Sequence, residues 1–513
     1  MGYKELSLKL SPDFSPDELR QTVAKILHLS DFSYQIITQS LDARKKDSIH
    51  WLVRVGVTSK ELKGPAPTPA PTLSIPYKKR NQRVVVVGSG PAGLFSALVL
   101  QQAGFAVTLI ERGKDVDARA ESIATFENGG IFDPTGNYAF GEGGAGTFSD
   151  GKLTSRSKHI AKERHYILSR YIEAGAPDEI AYLAHPHLGS DHLRSIVKPL
   201  RQTFQTLGGD IQFETELKNL MIEGSTIMEA VIENASITRT LKADIFVLAT
   251  GHSAYETYRL LIALGVQFKT KHFALGARIE HPQTLINEAQ WGTPRLSGVL
   301  AAEYRLTSTT ARHLPVYTFC MCPGGTVVPA TAYPNQSSVN GMSLQARDGH
   351  FANAACVAAI NLDSILGTET SPLAALDWVE ALERQFFETT KSYALPACRI
   401  DDFIHQKLSG SLDSTSYPLG LELTPLWTMF PEQVGTSIQA GLVDFSRKIK
   451  GFETGTIMGL ESKTSAPIQS LREDDLLCAG FKNLYLAGEG SGHSGGIMSS
   501  AADGVKIAMR IIA

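Results

Sequence analysis

A glycine-rich turn between an apolar strand and a helix is the sequence feature that most constrains what this chain can fold into. The apolar run 84–87 leads directly into the hexapeptide GSGPAG at 88–93, and a helical run follows. Gly88 permits the sharp turn, Gly90 lets the backbone approach a pyrophosphate, and Gly93 lets the helix and the strand pack closely. The amino terminus of the helix offers free N–H groups and the positive end of its dipole. The segment therefore predicts a dinucleotide-binding fold.

The residues around this turn support the same prediction. Pro91 stands at the first helical position, and the next predicted strand, 106–110, delivers Glu111 eighteen positions after Gly93. A carboxylate at that place can accept hydrogen bonds from an adenosine ribose. A glycine motif alone would be weak evidence, but here the strand, turn, helix and acidic residue occur in register. The alternative interpretation is a glycine turn in some other α/β fold.

The carboxyl-terminal segment decides which dinucleotide is expected. An apolar strand at 484–487 leads into Gly488 and Glu489, and a helix is predicted at 496–511 after further glycines. In FAD enzymes of the glutathione reductase type, a carboxylate at the place of Glu489 binds the ribityl hydroxyls, and the following helix points its amino terminus at the flavin. That dipole would stabilise the anion of the reduced flavin by about 0.3–2 kcal/mol. The segment therefore predicts FAD as the cofactor.

Two further segments are expected beside the cofactor. The apolar strand 244–249 ends in Thr250 and Gly251, which can pass close to a phosphate or an adenosine. The glycine-rich stretch 141–152, GEGGAGTFSDGK, has no apolar strand before it and so does not predict another nucleotide fold. Backbone without side chains is what close approach to a planar ring requires, so this stretch is expected against the flavin and pyrophosphate. A surface loop is its alternative interpretation.

Together these segments define the predicted cofactor site. Its residues are Gly88, Gly90, Pro91, Ala92, Gly93, Glu111, Arg112, Gly144, Ala145, Gly146, Thr147, Leu217, Ala249, Thr250, Gly251, Gly488, Glu489, Gly495, Gly496 and Ile497. No metal is expected, because no group of cysteines and histidines has zinc spacing. Residues 256–440 contain no second unit of strand, glycine turn and helix, so NAD(P)H is expected only as a transient electron donor.

The chain divides into five predicted segments. Residues 1–60 order a strand, a helix and two strands, which predicts a small ferredoxin-like β-α-β-β module. Residues 61–82 are predicted to be a linker, because five prolines among small residues cannot build a core. An α/β FAD-binding domain of Rossmann-like, doubly wound type is predicted at 83–255 and resumes at 446–513, with an α+β substrate domain at 256–445 inserted between them.

Composition excludes several classes of protein. With 513 residues, 43% hydrophobic and 20% charged, the chain has a globular composition and no apolar run long enough to cross a bilayer. The start, MGYKELSLKL, lacks the basic and apolar regions of a secretory signal, which predicts a cytoplasmic protein. Five scattered cysteines argue against a disulfide framework. A net charge of −3 attracts neither nucleic acid nor an anionic membrane, so a small-molecule substrate is the expected partner.

Seven motifs carry a resemblance to a known family. They are VVVVGSGPAGL, FGEGGAGTFSDGKL, ATGHSA, YTFCMCPGG, VNGMSLQARDG, GLESKTSAPI and NLYLAGEGSGHSGGIMSSAADG. Together with SLDARKK near the amino terminus, they resemble the uncharacterised bacterial FAD-dependent dehydrogenases, often labelled NAD(FAD)-utilising dehydrogenases. The resemblance implies a relative of glutathione reductase-type and hydroxybenzoate hydroxylase-type flavoproteins, with undefined substrates.

Three positions depart from the pattern of this family. Tyr255-Glu256 stands where an Arg-Asp pair is expected, Lys463 replaces an arginine, and His493-Ser494 replaces Tyr-Ala. All three lie near the predicted cofactor segments. Substrate or redox details are therefore expected to differ from those of relatives, whereas FAD binding is not.

Three residues are weak candidates for catalysis. Arg278 shares one face of a predicted strand with Glu280 and could bind an anionic substrate, although a structural ion pair or a solvated face is the favoured alternative. Lys463 and His493 are expected near the flavin, where either could donate a proton or tune the local charge.

Cys320 and Cys322 flank Met321 and invite a redox interpretation. Residues two apart on a regular strand have Cα atoms about 6.6 Å apart, which is near the limit for a disulfide. Buried inert thiols are therefore the favoured interpretation of this pair.

These observations predict an FAD-dependent oxidoreductase, a dehydrogenase or reductase, that transfers a hydride through flavin N5. The sequence specifies neither its substrate nor its oligomeric state. A monooxygenase is the alternative among enzymes, and a flavin-binding RNA-modification or interaction protein is the alternative from another class. The last rests only on the basic run at 44–46, for which a solvated hairpin turn is the favoured interpretation.

Overall fold

The computed structural model of the protein describes residues 1–65, 68–310 and 312–513. Positions 66 and 67, in the predicted linker 61–82, lie outside the described residues.

The amino-terminal module is a three-stranded sheet with one helix. It contains β1 Gly2–Leu10, α1 Pro16–Leu27, β2 Ser33–Asp42 and β3 His50–Ser59. Both β1 and β2 pair with β3 in antiparallel register, which gives the order β1-β3-β2 and confirms the predicted β-α-β-β arrangement. The Ser15 hydroxyl caps α1 by accepting a hydrogen bond from the Glu18 N–H at 3.1 Å. Leu19 and Val23 of this helix are buried, whereas Ile26 is exposed.

The nucleotide-binding part is built from two distant stretches of the chain. The first contains strands β4 Arg83–Val87, β5 Ala106–Ile110, β6 Asp210–Gln212, β7 Thr215–Glu223, β8 Thr226–Asn234, β9 Ile237–Lys242 and β10 Ile245–Leu248, and helices α2 Pro91–Gln102, α3 Val116–Glu127, α4 Ala161–Glu173 and α5 Gly189–Thr206. The region between the two stretches contains strands β11 Phe268–Thr270, β12 Phe273–Pro282, β13 Thr307–Ser308, β14 Val316–Cys322, β15 Thr326–Pro329, β16 Val339–Met342, β17 Phe351–Ile360, β18 Leu395–Arg399, β19 Leu421–Leu423 and β20 Thr456–Glu461, and helices α6 Tyr255–Ala263, α7 Gln283–Trp291, α8 Leu362–Leu366, α9 Pro372–Thr390, α10 Ile400–His405 and α11 Glu432–Lys448. The second stretch contains β21 Ile468–Ser470, β22 Leu484–Leu486 and α12 Ile497–Ile512.

A five-stranded parallel sheet of order β22-β10-β4-β5-β6 forms the centre of this part. Successive residues of β4 point to opposite faces, so Val84 and Val86 pack with helices α2 and α12, while Val85 and Val87 pack against the other face. That second face is covered by the antiparallel sheet β7-β8-β9 rather than by a helix layer. Burial on both faces explains the unbroken apolar run of β4.

The end of the predicted linker packs on this part of the molecule. Leu73 and Ile75 lie against its apolar core, and the Lys78 N–H donates to the carbonyl of Ala103 at 3.2 Å. The chain therefore joins the core about ten residues ahead of the predicted boundary at 83, because two apolar side chains in the linker find a surface to cover.

A seven-stranded sheet organises the inserted region, which we call the cap. Its order is β13-β14-β17-β12-β20-β18-β19. Strand β12 pairs with β17 along one edge and with β20 along the other. Its residues 273–281 are all buried, so the solvated face considered for Arg278 is not found. The sheet continues past the predicted domain boundary at 445, which falls inside α11: β20 extends the sheet to Glu461 because it pairs with β12.

Candidate functional site

One cavity of about 1250 Å³ is lined by both the nucleotide-binding part and the cap. Helices α2 and α12 begin at its wall, and their N-cap residues Gly90 and Gly496 give the first turns no side-chain hydrogen bond. The N–H groups of both first turns are therefore available to a ligand in the cavity. Two helix amino termini at one cavity favour an anionic or electron-accepting ligand there.

The three glycines of the first motif have different structural roles. A Cβ on Gly88, whose φ is +98°, would lie 2.4 Å from the carbonyl oxygen of Ala249, and a Cβ on Gly93 would lie 1.8 Å from the carbonyl oxygen of Gly88. These two positions exclude a side chain because backbone occupies the space. A Cβ on Gly90 would meet nothing closer than the Cα of Gly144 at 3.7 Å, so Gly90 leaves open space at the cavity wall.

Most of the predicted cofactor residues line this cavity. They are Gly88, Gly90, Pro91, Ala92, Glu111, Arg112, Gly144, Ala145, Gly146, Leu217, Ala249, Thr250, Gly251, Glu489, Gly495, Gly496 and Ile497. Gly93, Thr147 and Gly488 do not line it. Gly488 serves packing instead, since a Cβ there would lie 2.6 Å from the Cβ of Ala92. Folding thus brings segments separated by hundreds of residues to one site.

Glu111 lies at the cavity but is already bonded to protein donors. Its Oε2 accepts from the N–H and hydroxyl of Ser89 at 2.8 and 2.9 Å, and its Oε1 accepts from the N–H groups of Gly113 and Gly141 at 2.9 and 3.1 Å. A carboxylate offers about four lone-pair positions, so a ribose hydroxyl would compete with Ser89 for one of them. The ribose contact of Glu111 stays a prediction, whereas its role in joining three loops is observed.

Glu489 has the opposite environment. It follows β22 in a short 3₁₀ turn and lines the cavity, and among the residues the structure describes none donates a hydrogen bond to its carboxylate. Burial raises the pKa of Glu489 to about 8, although the Lys271 ammonium acts against the shift. A partly dehydrated carboxyl group without a partner is suited to hydroxyl groups of a ligand.

Arg112 and Glu256 form an ion pair at the cavity wall. The guanidinium carbon of Arg112 lies 4.0 Å from the ring centroid of Phe140, and Glu256 also accepts a hydrogen bond from the Tyr333 hydroxyl. Glu256 is one of the positions that depart from the family pattern. Its carboxylate still supplies the negative charge that an aspartate would supply beside Arg112.

Two other departures from the family pattern contact one another. The Lys463 ammonium donates a hydrogen bond to the Tyr255 hydroxyl at 2.7 Å and lies 2.7 Å from Oε1 of Glu383. Lys463 is only 7% exposed but lines the cavity, so it places a compensated positive charge on the wall.

The other two catalytic candidates lie away from the cavity lining. The guanidinium of Arg278 is fully buried, 3.2 Å from Oε2 of Glu461 and 2.9 Å from Oδ1 of Asn353. This is the structural ion pair favoured above. His493 Nε2 lies 2.9 Å from the carbonyl oxygen of Ser470, and burial lowers the pKa of the imidazole. Neither residue contacts the cavity, so any role of theirs in catalysis stays a prediction.

The cap supplies a wall that the motifs did not predict. Its lining residues are Glu303, Tyr304, Arg305, Leu306, Thr307, Thr309, Pro315, Val316, Tyr317, Thr318, Phe319, Cys320, Met321 and Asn340. Of these, only Cys320 was considered as a functional residue from the sequence. The family motifs YTFCMCPGG and VNGMSLQARDG run through part of this wall, but nothing in their residue types predicted that they would line the cavity.

A buried ionic cluster joins the glycine-rich loop to the cap. Asp150, which is 1% exposed, accepts from Arg347 Nη2 at 2.5 Å and from Lys152 Nζ at 2.6 Å. Although burial opposes ionisation, the two cations hold the pKa of Asp150 below its usual range. Asp150 and Lys152 both line the cavity, so the ion pair with Arg347 ties this part of the cavity wall to the cap.

The residues present fit FAD. The open space at Gly90, the uncapped first turns of α2 and α12, and the unpartnered carboxyl of Glu489 lie along one cavity. Within the three described ranges, no group of three or more His, Cys, Asp or Glu side chains could hold a metal ion. Over the same residues, no helix combines the length and apolar character needed to cross a membrane.

Family models match three segments of the chain. Residues 3–58 match a domain of unknown function, residues 81–256 match an FAD binding domain, and residues 272–464 match the C-terminal domain-like family of FAD-dependent proteins. The match at 81–256 covers the strand, glycine turn and helix described above, and it confirms FAD as the cofactor. The end of the third match near Glu461 agrees with the limit of the cap sheet.

One relative spans the whole chain. An uncharacterised protein of Clostridium beijerinckii is 36% identical over an alignment 537 positions long. The alignment covers all of this chain and 99% of the relative. Solved structures show weaker similarity. CtdE in complex with FAD is 12% identical over 84% of each chain, with a TM-score of 0.34. A geranylgeranyl bacteriochlorophyll reductase-like protein of Thermoplasma acidophilum is 10% identical over 83% of this chain and 77% of that one, with a TM-score of 0.37.

Proposed function

Because the chain belongs to one family with the uncharacterised Clostridium beijerinckii protein and two of its segments match family models of FAD-binding and FAD-dependent proteins, we propose that it is an FAD-dependent oxidoreductase acting on a small molecule. One observation carries the proposal: the cofactor residues and the cap residues line the same cavity. Its volume of about 1250 Å³ exceeds the 300–1,000 Å³ typical of a single-ligand pocket, which leaves room for a second molecule beside FAD.

Different segments of the chain bind different parts of the cofactor. The turn at 88–93 and the first turn of α2 bind the pyrophosphate, and Glu489 accepts hydrogen bonds from the ribityl hydroxyls. The first turn of α12 directs its N–H groups toward the site of developing negative charge. Bound FAD supplies two-electron chemistry at its N5 position.

The cap orients the substrate and excludes water. Tyr304, Leu306 and Val316 are buried residues that line the cavity, so they cover an apolar part of a substrate. Lys152 and Lys463 add positive charge on other parts of the wall. An organic molecule with an apolar body and an electron-rich or anionic group fits this combination. NAD(P)H is proposed as the electron donor, docking transiently in the same space.

The test begins with the cofactor. We expect purified protein to be yellow and to release FAD, not FMN, on denaturation, because the turn at 88–93 serves the AMP half that FMN lacks. Chromatography of the released flavin checks this, and FMN or a colourless protein that FAD cannot reconstitute would contradict it.

The reaction is then identified by a metabolite screen under anaerobic conditions. A substrate of a dehydrogenase bleaches the bound flavin without oxygen, and reduction by NADH or NADPH identifies the donor. Oxygen consumption coupled to a hydroxylated product would instead identify a monooxygenase. Co-purification of RNA with the whole chain, without any flavin reduction by metabolites, would favour the RNA-associated alternative. Arg44, which belongs to the basic run 44–46 on which this alternative rests, forms an ion pair with Asp42 in the amino-terminal module.

A further inference from the structure

Strand β14 is interrupted where it reaches the cavity. Its pairing with β17 shifts between Phe319 and Cys322, where one additional residue is accommodated in a bulge. Cys320 lies in this bulge with φ of +45°, in the left-handed region that side chains other than glycine rarely adopt. Bulges redirect side chains and are frequent beside active sites. The regular-strand spacing assumed for Cys320 and Cys322 therefore does not apply.

The bulge gives the two cysteines different surroundings. Cys320 is half-buried and lines the cavity, whereas Cys322 is fully buried behind it. The Cys322 sulfur lies 3.3 Å from the carbonyl oxygen of Cys320 and 3.3 Å from Nη2 of Arg278, and the same nitrogen donates to the Cys320 carbonyl at 2.8 Å. Arg278 thus holds the backbone of one cysteine and the sulfur of the other.

Positive charge surrounds the pair. The Lys152 ammonium donates a hydrogen bond to the carbonyl of Met321, between the two cysteines. A hydrogen bond from Cys322, together with the charges of Lys152 and Arg278, lowers the pKa of Cys320 below its usual value despite burial. Burial raises the pKa of Cys322. The two shifts have opposite directions, so Cys320 gives up its proton more readily than Cys322, as the attacking cysteine of a reactive dithiol does.

Cys320 shares the cavity with the proposed cofactor residues. Cys320 and Glu489, the residue assigned to the ribityl chain, both line it. The sulfur is therefore exposed to the same space in which FAD is proposed to bind.

We propose that Cys320 and Cys322 form a redox-active dithiol that exchanges an electron pair with the bound FAD. In the oxidative direction, the Cys320 thiolate and the Cys322 thiol form an S–S bond and release two electrons and one proton. FAD takes up these two electrons and the proton to give the reduced anionic flavin, so charge and atoms balance. The proposal rests on FAD binding as proposed above, and it adds a second two-electron store to the same site.

Anaerobic reductive titration tests this proposal. FAD-loaded protein is oxidised with diamide, freed of reagent and titrated with dithionite while the flavin absorbance is followed. We expect wild type to take up about four electrons per FAD, and Cys320→Ala and Cys322→Ala to take up about two, because a disulfide and a flavin are each two-electron couples. Cys356→Ala, which removes a buried thiol of the same cap sheet away from the cavity, is the matched control and should take up about four.

Absorbance at long wavelength identifies the sulfur that faces the flavin. After wild-type protein has taken up two electrons, we expect a new absorbance band at wavelengths longer than those of the flavin bands. Its cause would be the Cys320 thiolate next to flavin that is still oxidised. Cys322→Ala should show this band without reduction, and Cys320→Ala should lack it at every stage.

Uptake of about two electrons by oxidised, FAD-loaded wild type would overturn the dithiol while leaving the oxidoreductase intact. A protein that cannot be loaded with FAD would contradict both proposals.

Discussion

Glu489 is the residue whose chemistry most directly identifies the site. Its carboxyl lines the cavity without a donor among the described residues, so we expect the ribityl hydroxyls of FAD to complete its hydrogen bonding. Glu489→Ala should remove a charge-assisted hydrogen bond of about 1.5–3 kcal/mol and weaken FAD binding by roughly one to two orders of magnitude. Titration of the apoproteins with FAD measures the effect. Glu473→Ala, at an exposed residue outside the cavity lining, is the control, and equal affinity of Glu489→Ala and wild type would reject the assignment.

The same residue gives FAD binding a pH dependence. Burial raises the pKa of Glu489 to about 8, so the carboxyl of the apoprotein is largely protonated at neutral pH. Hydroxyl donors from the ribityl chain favour the charged form, so binding lowers this pKa and releases a proton. FAD affinity should therefore rise as the pH increases toward about 8 and level off above it. Dissociation constants measured between pH 6 and 9 should show this slope in wild type, and a Glu489→Gln variant with the same slope would exclude Glu489 as its source.

At the scale of elements, the contact between β4 and α2 separates packing from cofactor binding. A Cβ at Gly93 meets the Gly88 carbonyl at 1.8 Å, whereas a Cβ at Gly90 meets no atom within 3.7 Å. Gly93→Ala should force the helix from the strand and lower the apoprotein Tm by roughly 5 °C or more, with loss of FAD. Gly90→Ala should leave the apoprotein Tm nearly unchanged and weaken FAD binding by roughly tenfold or more, because its methyl group occupies space needed by the pyrophosphate.

The two variants are matched, since both add one methyl group to the same turn. Thermal unfolding followed by circular dichroism and FAD titration separate the effects. Similar losses of Tm in both variants would mean that the open space at Gly90 is not reserved for the cofactor.

At the scale of the whole molecule, the amino-terminal module lies outside the cofactor cavity. Among the residues that the structure describes, none before Val87 lines the cavity, while Leu73 and Ile75 pack on the core that carries it. A chain that begins at Pro71 should therefore fold and keep FAD affinity within about threefold of wild type. Its affinity is measured by FAD titration. Loss of flavin from a folded truncation would show that the module is part of the cofactor domain.

The module does contact the segment beside the cavity mouth. The Gln39 N–H donates to the carbonyl of Tyr182, and the Ala184 N–H donates to the carbonyl of Gln39. Ala184 and His185 line the cavity, so strand β2 holds this part of its wall. In the truncated chain, faster proteolysis near residue 184 than in wild type is the expected consequence.

The sequence by itself determined the cofactor-binding half of this protein. The positive φ of Gly88 and the clash of a Gly93 side chain with the Gly88 carbonyl are set within the turn itself, and the strand that leads into Glu489 is recognisable from its own residues. Such features depend on neighbours within a few positions, so they can be predicted without knowing the rest of the fold.

Only the tertiary structure decided how the cap is arranged and which of its residues reach the cavity. Whether Arg278 meets a substrate or Glu461 depends on which strands flank β12, and the half-exposed position of Cys320 depends on a bulge that one strand makes against another. The limit of the cap at Glu461 depends likewise on the pairing of β20. Pairing between distant strands sets which face of each is buried, and a shift of one residue reverses that assignment. No local pattern contains that information, because its energy comes from contacts between segments far apart in the chain.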